Sequence, residues 1–384
     1  VTVVVSDTNR RPVSPYIFGV NFASAKQLAA NKYSVNRWGG NAVTRYSWDT
    51  DTGNHASDWY FENIPNPVKN ESALPFGSKA DNFVKNSTEN GAKVLLTTPI
   101  IGWRPKDRVK RCGFDLSKYP KQQKVDPYYG HCGNGVLPDG SDITGNDPHD
   151  TSIETKPSYN VDWIQHLDKA FGKGTTRWFM MDNEPALWSS THRDVHPEKL
   201  TYDELWNRTV AYASALKEAF PESLLFGPVP WGYCAYMFSA ADGCTDGPDR
   251  KAHGDMPILE WYIQQLAHYK LKTGKSLVDV IDLHFYPAAP NVALSDTEDT
   301  ITSLLRLRST RSLWDPTYVD ESWISAPIYI LRRVQGWINQ YDPELKMSIS
   351  EYNFGGDNII TGALAQVQAL GVMAPPPGPR GVGR

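Results

Sequence analysis

No apolar run in this sequence approaches the ~20 residues that a membrane-spanning helix needs. Runs of Lys and Arg are missing too, and 39 basic against 43 acidic residues leave a net charge of −4. Nucleic acid and other polyanions therefore find no basic stripe to bind. Cysteine is scarce, with four in 384 residues, at Cys112, Cys132, Cys234 and Cys244. None forms a CxxC pair and no histidine stands at zinc-finger spacing from them, which argues against a structural zinc site. No GxGxxG follows the first strand-like segment to indicate a dinucleotide fold. No HxH closes a strand, so a metal-dependent barrel hydrolase built on His192, His196, His253 or His284 has little support.

Aromatic residues, by contrast, are plentiful: 12% of the chain, with 13 Trp and 19 Tyr. Trp48, Trp59, Trp103, Trp188, Trp231, Trp314 and Trp323 fall in polar, Gly/Pro-rich segments that read as loops. A flat apolar ring with a polar edge suits the face of a pyranose, although aromatics also simply fill cores. The cysteines form two local pairs, which suggests disulfides Cys112–Cys132 and Cys234–Cys244; four free thiols are the competing reading. Sequons at Asn70, Asn86 and Asn207 point, with the cysteines, to a secreted protein. The start at Val1–Val5, directly in a strand-like VTVVV, is what a processed mature chain is expected to show.

From Tyr16 onward short apolar runs alternate with amphipathic segments. The runs expected as strands are Ile17–Phe22, Ser34–Trp38, Lys93–Pro99, Arg177–Met181, Leu224–Val229, Val278–Phe285 and Lys346–Ser350. Helices are expected over Ser78–Glu89, Val161–Phe171, Tyr202–Phe220, Pro257–Thr273, Ala326–Asn339 and Ile360–Leu370. Thr201 with Glu204 reads as a capping box. Strand–helix repeats imply a parallel sheet with helices outside, and seven in series favour a (β/α)8 barrel over an open sheet. The long inserts Gly39–Leu74, Ile100–Asn160 and Pro287–Ser325 all follow strands, where a barrel builds its active-site face. An eighth strand is not legible: Met373–Arg384 reads MAPPPGPRGVGR, an irregular tail.

Two glutamates close strands. Trp178–Met181 runs into Asp182-Asn183-Glu184-Pro185, and Met347–Ser350 runs into Glu351-Tyr352-Asn353. Strands four and seven of a barrel lie nearly opposite each other, so the two carboxyls can approach to the ~5–5.5 Å that a retaining glycosidase uses. One must stay protonated while the other is ionised, so their surroundings must push their pKa values apart. Arg37 can hold Glu351 ionised and Tyr286 can donate to the same carboxylate. Asn183 can bond a sugar 2-hydroxyl, and His284 can orient a carboxylate or bind a hydroxyl. Strand-end Arg and Tyr side chains also serve merely to satisfy loop carbonyls. Trp188, Trp231, Trp314 and Trp323 are the candidates for sugar stacking. Asp282 reads as an anchor behind the site. Asp147 and Asp150, in GNDPHD, are a solvated turn or a calcium site through their oxygens.

Three stretches, Arg37-Trp38-Gly39-Gly40-Asn41, Asp182-Asn183-Glu184-Pro185-Ala186-Leu187-Trp188 and Ser350-Glu351-Tyr352-Asn353, resemble glycoside hydrolase family 44. The likeness runs from about Val1 to Leu370 in the same order of elements. It implies a retaining endo-β-1,4-glucanase or xyloglucanase with Glu184 as acid/base and Glu351 as nucleophile. It also implies a (β/α)8 barrel over residues 16–372 and an N-terminal strand, residues 1–15, that belongs to a small β-sandwich. Structural calcium occurs in such proteins, which bears on Asp147 and Asp150, and no cofactor is needed for catalysis. Where the family continues into an eighth strand, a last helix and most of the sandwich, this chain has residues 373–384, so a truncated, incomplete barrel is expected. The expected protein is a secreted monomer acting on β-glucan, with no nucleic-acid or membrane partner. The alternative is a carbohydrate-binding barrel inactivated by the missing C-terminus.

Overall fold

Short runs rich in Val, Leu, Ile, Phe and Met have no polar face to offer water, so they form strands buried on both sides. In the computed structural model, which describes residues 13–374, seven strands line up in one sheet, five of them of this buried kind and the first and last more exposed. They are β1 (Gly19–Asn21), β2 (Val35–Trp38), β3 (Lys93–Thr98), β4 (Trp178–Met181), β5 (Leu224–Pro228), β6 (Val280–Phe285) and β7 (Lys346–Tyr352). Their order in the sheet is their order in sequence. The pairings β2–β3, β3–β4, β4–β5 and β5–β6 are parallel.

The sheet curls until its two ends come within reach of each other. The Asn21 amide on β1 reaches the Ser350 carbonyl on β7 at 3.5 Å. Across the interior, the Met180 sulfur on β4 receives Arg37 Nε from β2 at 3.3 Å and Ser350 Oγ from β7 at 4.0 Å. This is a nearly closed (β/α)8-type barrel, with seven strands and no eighth among the described residues. The sandwich strand expected at Val1–Val5, and the tail beyond Ala374, lie outside the described residues.

Helices α1 (Ala25–Asn31), α2 (Lys79–Glu89), α3 (Pro157–Phe171), α4 (Tyr202–Ala219) and α5 (Ile258–Thr273) lie in the connections between strands. Along α4 the buried residues Tyr202, Leu205, Thr209, Tyr212, Ala213 and Leu216 recur at three and four, one stripe of a helix. The capping box expected at its start is half formed. Thr201 Oγ1 accepts the Glu204 N–H, but the Glu204 carboxylate turns to His196 and Arg208, both at 2.8 Å.

The chain divides into two units by internal contacts. The first holds Val20–His284 and Tyr341–Ser350, and hence the body of the barrel. Within it the inserts after β2 and β3 are ordered by a three-stranded antiparallel sheet (Thr52–Asn54, Glu62–Pro65, Arg111–Cys112) and a two-stranded one (Trp103–Pro105, Ser152–Glu154). Disulfides Cys112–Cys132 and Cys234–Cys244 are both formed. The second unit includes Phe285–Gln340 and the residues from Glu351 onward. Its helices are α6 (Thr300–Ser309), α7 (Ile330–Tyr341) and α8 (Ile360–Met373). The fully buried Arg306 guanidinium ties it together, donating to the carbonyls of Ser295, Thr297 and Phe354 and to Thr361 Oγ1.

Candidate active site

Pro185 cannot extend β4 and begins a 3-10 turn, so the chain must reverse over Asp182-Asn183-Glu184. Two of these three residues adopt left-handed backbone, Asp182 at φ 72° and Glu184 at φ 48°. Neither is glycine, so each costs of order 1 kcal/mol and must be held by its surroundings. The reversal turns the Glu184 side chain into a largely enclosed position, 12% exposed.

His284, buried on β6, meets that carboxylate with Nδ1 at 2.7 Å from Oε1. Its other ring nitrogen, Nε2, lies 3.3 Å from Arg37 Nη2. A guanidinium only donates, so Nε2 accepts and the neutral ring carries its proton on Nδ1. Glu184 Oε1 thus receives a hydrogen bond, and Oε2 is the oxygen left to carry an acidic proton. Burial pushes the Glu184 carboxyl up to about 7, the Arg37 charge pulls it back, and the negative charge of Asp58 adds to the rise. A carboxyl still half protonated at neutral pH is what a general acid requires.

Arg37 lies on β2, buried. It gives Nη2 to Asn183 Oδ1 at 2.7 Å, and Asn183 Oδ1 also accepts Gly40 N–H at 3.0 Å. The Asn183 amide donates to Asn41 Oδ1 at 3.3 Å, and Asn41 in turn donates to Asp58. The Asn183 carbonyl is thereby committed to the protein, and its amide is the end that faces any hydroxyl. In the second unit, Tyr286 gives its hydroxyl to Glu351 Oε2 at 3.1 Å. β7 extends two residues further than the sequence indicates, so Glu351 sits within the strand, directly after Ser350. Asp282, fully buried on β6, accepts the hydroxyls of Ser348 and Ser350, which fixes β7 against β6.

The expected tryptophans divide. Trp231 follows Pro230, whose carbonyl accepts the His284 N–H at 3.1 Å, and is half-buried at the C-terminal lip of β5. Trp323 is 62% exposed and Trp314 is half-buried, both in the second unit. Trp188 requires correction. It is 1% exposed, with Arg208 over its ring at 5.3 Å and His196 edge-on at 5.2 Å, so no face remains for a sugar. Its role is packing.

Asp147 and Asp150 sit in the turn that is one of their two expected readings, and their contacts add no support for calcium. Asp147 Oδ1 accepts the His149 N–H and pairs with His149 Nδ1, while Asp150 Oδ1 is paired with the Lys118 ammonium. A cation already sits against the carboxylate that calcium would need, and no His, Cys, Asp or Glu completes a cluster of three with either residue among the described residues. His192, His196 and His253 join no such cluster either.

Several residues of the site were not singled out from sequence: Asp182, Thr44, Asn41, Asp58 and Tyr236, whose hydroxyl donates to the His284 carbonyl. Asp58 also lines a groove of about 530 Å³ with Trp59, Tyr60, Ser189, Ser190 and Arg193. Aromatic faces beside hydroxyls and a guanidinium are the surface that a sugar chain matches.

A sequence model described as glycoside hydrolase family 44 matches residues 29–289. The chain is 28% identical over 388 residues to Endoglucanase A of Paenibacillus lautus, covering 96% of this chain and 52% of that protein, about half its length. Among solved structures, CelM2, a bifunctional glucanase-xylanase from a metagenome library, superposes with a TM-score of 0.90 at 36% identity, over 95% of this chain and 72% of that one. A Paenibacillus polymyxa xyloglucanase of the same family, crystallised with xyloglucan, gives 0.71 at 27% identity, over 95% of this chain and 71% of that one.

Proposed function

The chain belongs to glycoside hydrolase family 44, and on that premise we propose that it cleaves internal β-1,4-glucosidic bonds of cellulose- or xyloglucan-type polysaccharides with retention of configuration. The observation that carries the reading is the enclosed Glu184 carboxyl, held on Oε1 by His284 and pushed up to about 7.

In the first step Glu184 gives its proton to the glycosidic oxygen as the C1–O bond breaks, and the leaving chain departs with a new hydroxyl. The Glu351 carboxylate forms a bond to C1 from the opposite face. In the second step Glu184, now ionised, takes a proton from water as that water attacks C1. The ester to Glu351 breaks, and both carboxyls return to their starting states. Tyr286 orients the nucleophile, and the Asn183 amide binds the 2-hydroxyl. Trp231, Trp314 and Trp323 stack on sugar rings. The groove that Asp58 lines takes the leaving chain, which suits a polymer.

Proton NMR of the first reducing ends released from a cello-oligosaccharide tests retention. The β-anomer is expected to appear first, and initial α-anomer would mean inversion. The acid must be protonated to act, so kcat/KM is expected to fall about tenfold per unit above about pH 7. A basic limb centred near pH 4.5 would remove Glu184 from the role. The two disulfides support a secreted enzyme. Among the described residues no helix is long and apolar enough to cross a membrane.

A further inference from the structure

We propose that Asp182 is a positioning residue that fixes the acid carboxyl of Glu184 through the backbone of Asn183, an inference that rests on the role given to Glu184 above. The Asp182 side chain is fully buried. Its Oδ1 accepts Thr44 Oγ1 at 2.7 Å and the Asn183 N–H at 2.8 Å. Its Oδ2 accepts the N–H groups of Ile100 at 2.6 Å and Ile101 at 3.1 Å. One carboxylate therefore gathers the chain after β2, the chain after β3 and the lip of β4 itself.

Every one of these four contacts is a donor to the carboxylate, so the site is built for an acceptor with two oxygens and no hydrogen. The left-handed turn at Asp182 and Glu184 has Asn183 between them, and it is the Asn183 N–H that Asp182 holds. Asn183 is pinned at its other end by Arg37 and Gly40. Releasing Asp182 frees the Asn183 N–H, the backbone anchor next to Glu184, and leaves the Asn183 side chain, the Asp182 N–H on the Thr98 carbonyl and the His284 contact to hold the lip, so the direction of the Glu184 carboxyl is less tightly fixed. Asparagine is no substitute. Whichever way its amide turns, NH2 faces either the Ile100 and Ile101 N–H pair or the Asn183 N–H. The Thr44 hydroxyl can rotate to accept, but the backbone groups cannot.

The measurement is kcat/KM, which reports the first bond cleavage, on two substrates. One is a glucan polymer, whose leaving group needs a proton. The other is 2,4-dinitrophenyl β-cellotrioside, whose leaving group does not. Asp182→Asn is expected to lower kcat/KM on the polymer by roughly 10²-fold and on the activated glycoside by less than about fivefold, because only proton donation depends on where the carboxyl points. Equal losses on both substrates, or no loss on the polymer, would overturn the proposal. Thr44→Val deletes one donor and keeps the charge. It is expected to show the same selective loss at a severalfold level, and decides the matter should Asp182→Asn fail to fold: equal losses or none overturn the proposal. Glu184→Gln run alongside separates the two levels of inference. If it shows no dependence on the leaving group, the acid role of Glu184 falls. If it does and the Asp182 and Thr44 variants do not, the positioning role alone falls.

Discussion

Glu351→Gln is expected to lower turnover of carboxymethylcellulose or xyloglucan by roughly 10⁴-fold or more, because an amide cannot form the glycosyl ester on which double displacement depends. The side chain keeps its size and can still accept the Tyr286 hydroxyl, so fold and substrate binding should survive. What is lost is charge and nucleophilicity. Glu184→Gln should look different. Proton donation is worth about 10²–10⁴-fold, and only for leaving groups that need it. Polymer hydrolysis should therefore fall steeply while the first cleavage of a dinitrophenyl glycoside persists. Azide, a small nucleophile that needs no base, should restore turnover and yield the β-glycosyl azide. Rates on polymer and activated glycoside, each with and without azide, distinguish the carboxyls. Retained polymer activity in either variant would refute its assignment, and identical profiles would refute the division of roles.

The two carboxyls were legible because each stands at the end of a strand-like segment, the buried apolar run Trp178–Met181 for Glu184, stopped by Pro185, and the alternating run Met347–Ser350 for Glu351. Disulfide pairing was legible because separations of 20 and 10 residues leave few alternatives. What holds Glu184 in place was not. Asp182 meets Thr44 from 138 residues away and Ile100 from 82, and no local pattern encodes such a meeting. Nor does a sequence announce left-handed backbone at an aspartate or a glutamate, since glycine is the usual sign of it. Trp188 was misread for a related reason. It lies in a polar stretch, but Arg208 from α4 and His196 close over it, and both arrive by tertiary packing. The turn at Asp147 and Asp150 was legible from its local composition, whereas the Lys118 ammonium on Asp150, from 32 residues before it, was not. The missed helices α1 and α6 did carry local signals: Ser24 with Gln27 forms a full capping box, and Asp299 caps two N–H groups. Their apolar stripes are too short to stand out.

A different balance governs the inserts that build the face around Glu184. Arg45, after β2, and Asp194, after β4, are both fully buried, with Nη1 at 2.8 Å from each carboxylate oxygen. Arg45 Nη2 reaches Ser152, after β3, at 2.6 Å, and Asn146 donates to the Asp194 carbonyl at 2.7 Å. Desolvating two charges offsets much of their attraction, so the pair adds little net stability over a hydrophobic replacement. Removing one partner is another matter, since the remaining charge stays buried without compensation. Arg45→Met is expected to destabilise the protein by about 3–5 kcal/mol, read from the midpoint and slope of urea unfolding. Asp194→Leu should cost a similar amount. The double variant should recover most of the loss, giving a large favourable coupling between the two changes. A cost for Arg45→Met below about 1 kcal/mol would mean that water reaches the pair, as it reaches exposed ion pairs of that worth. The inserts would then be loosely attached, and the polar network that reaches Glu184 through Asn41, Asn183 and Asp182 would have to be held by the barrel strands alone.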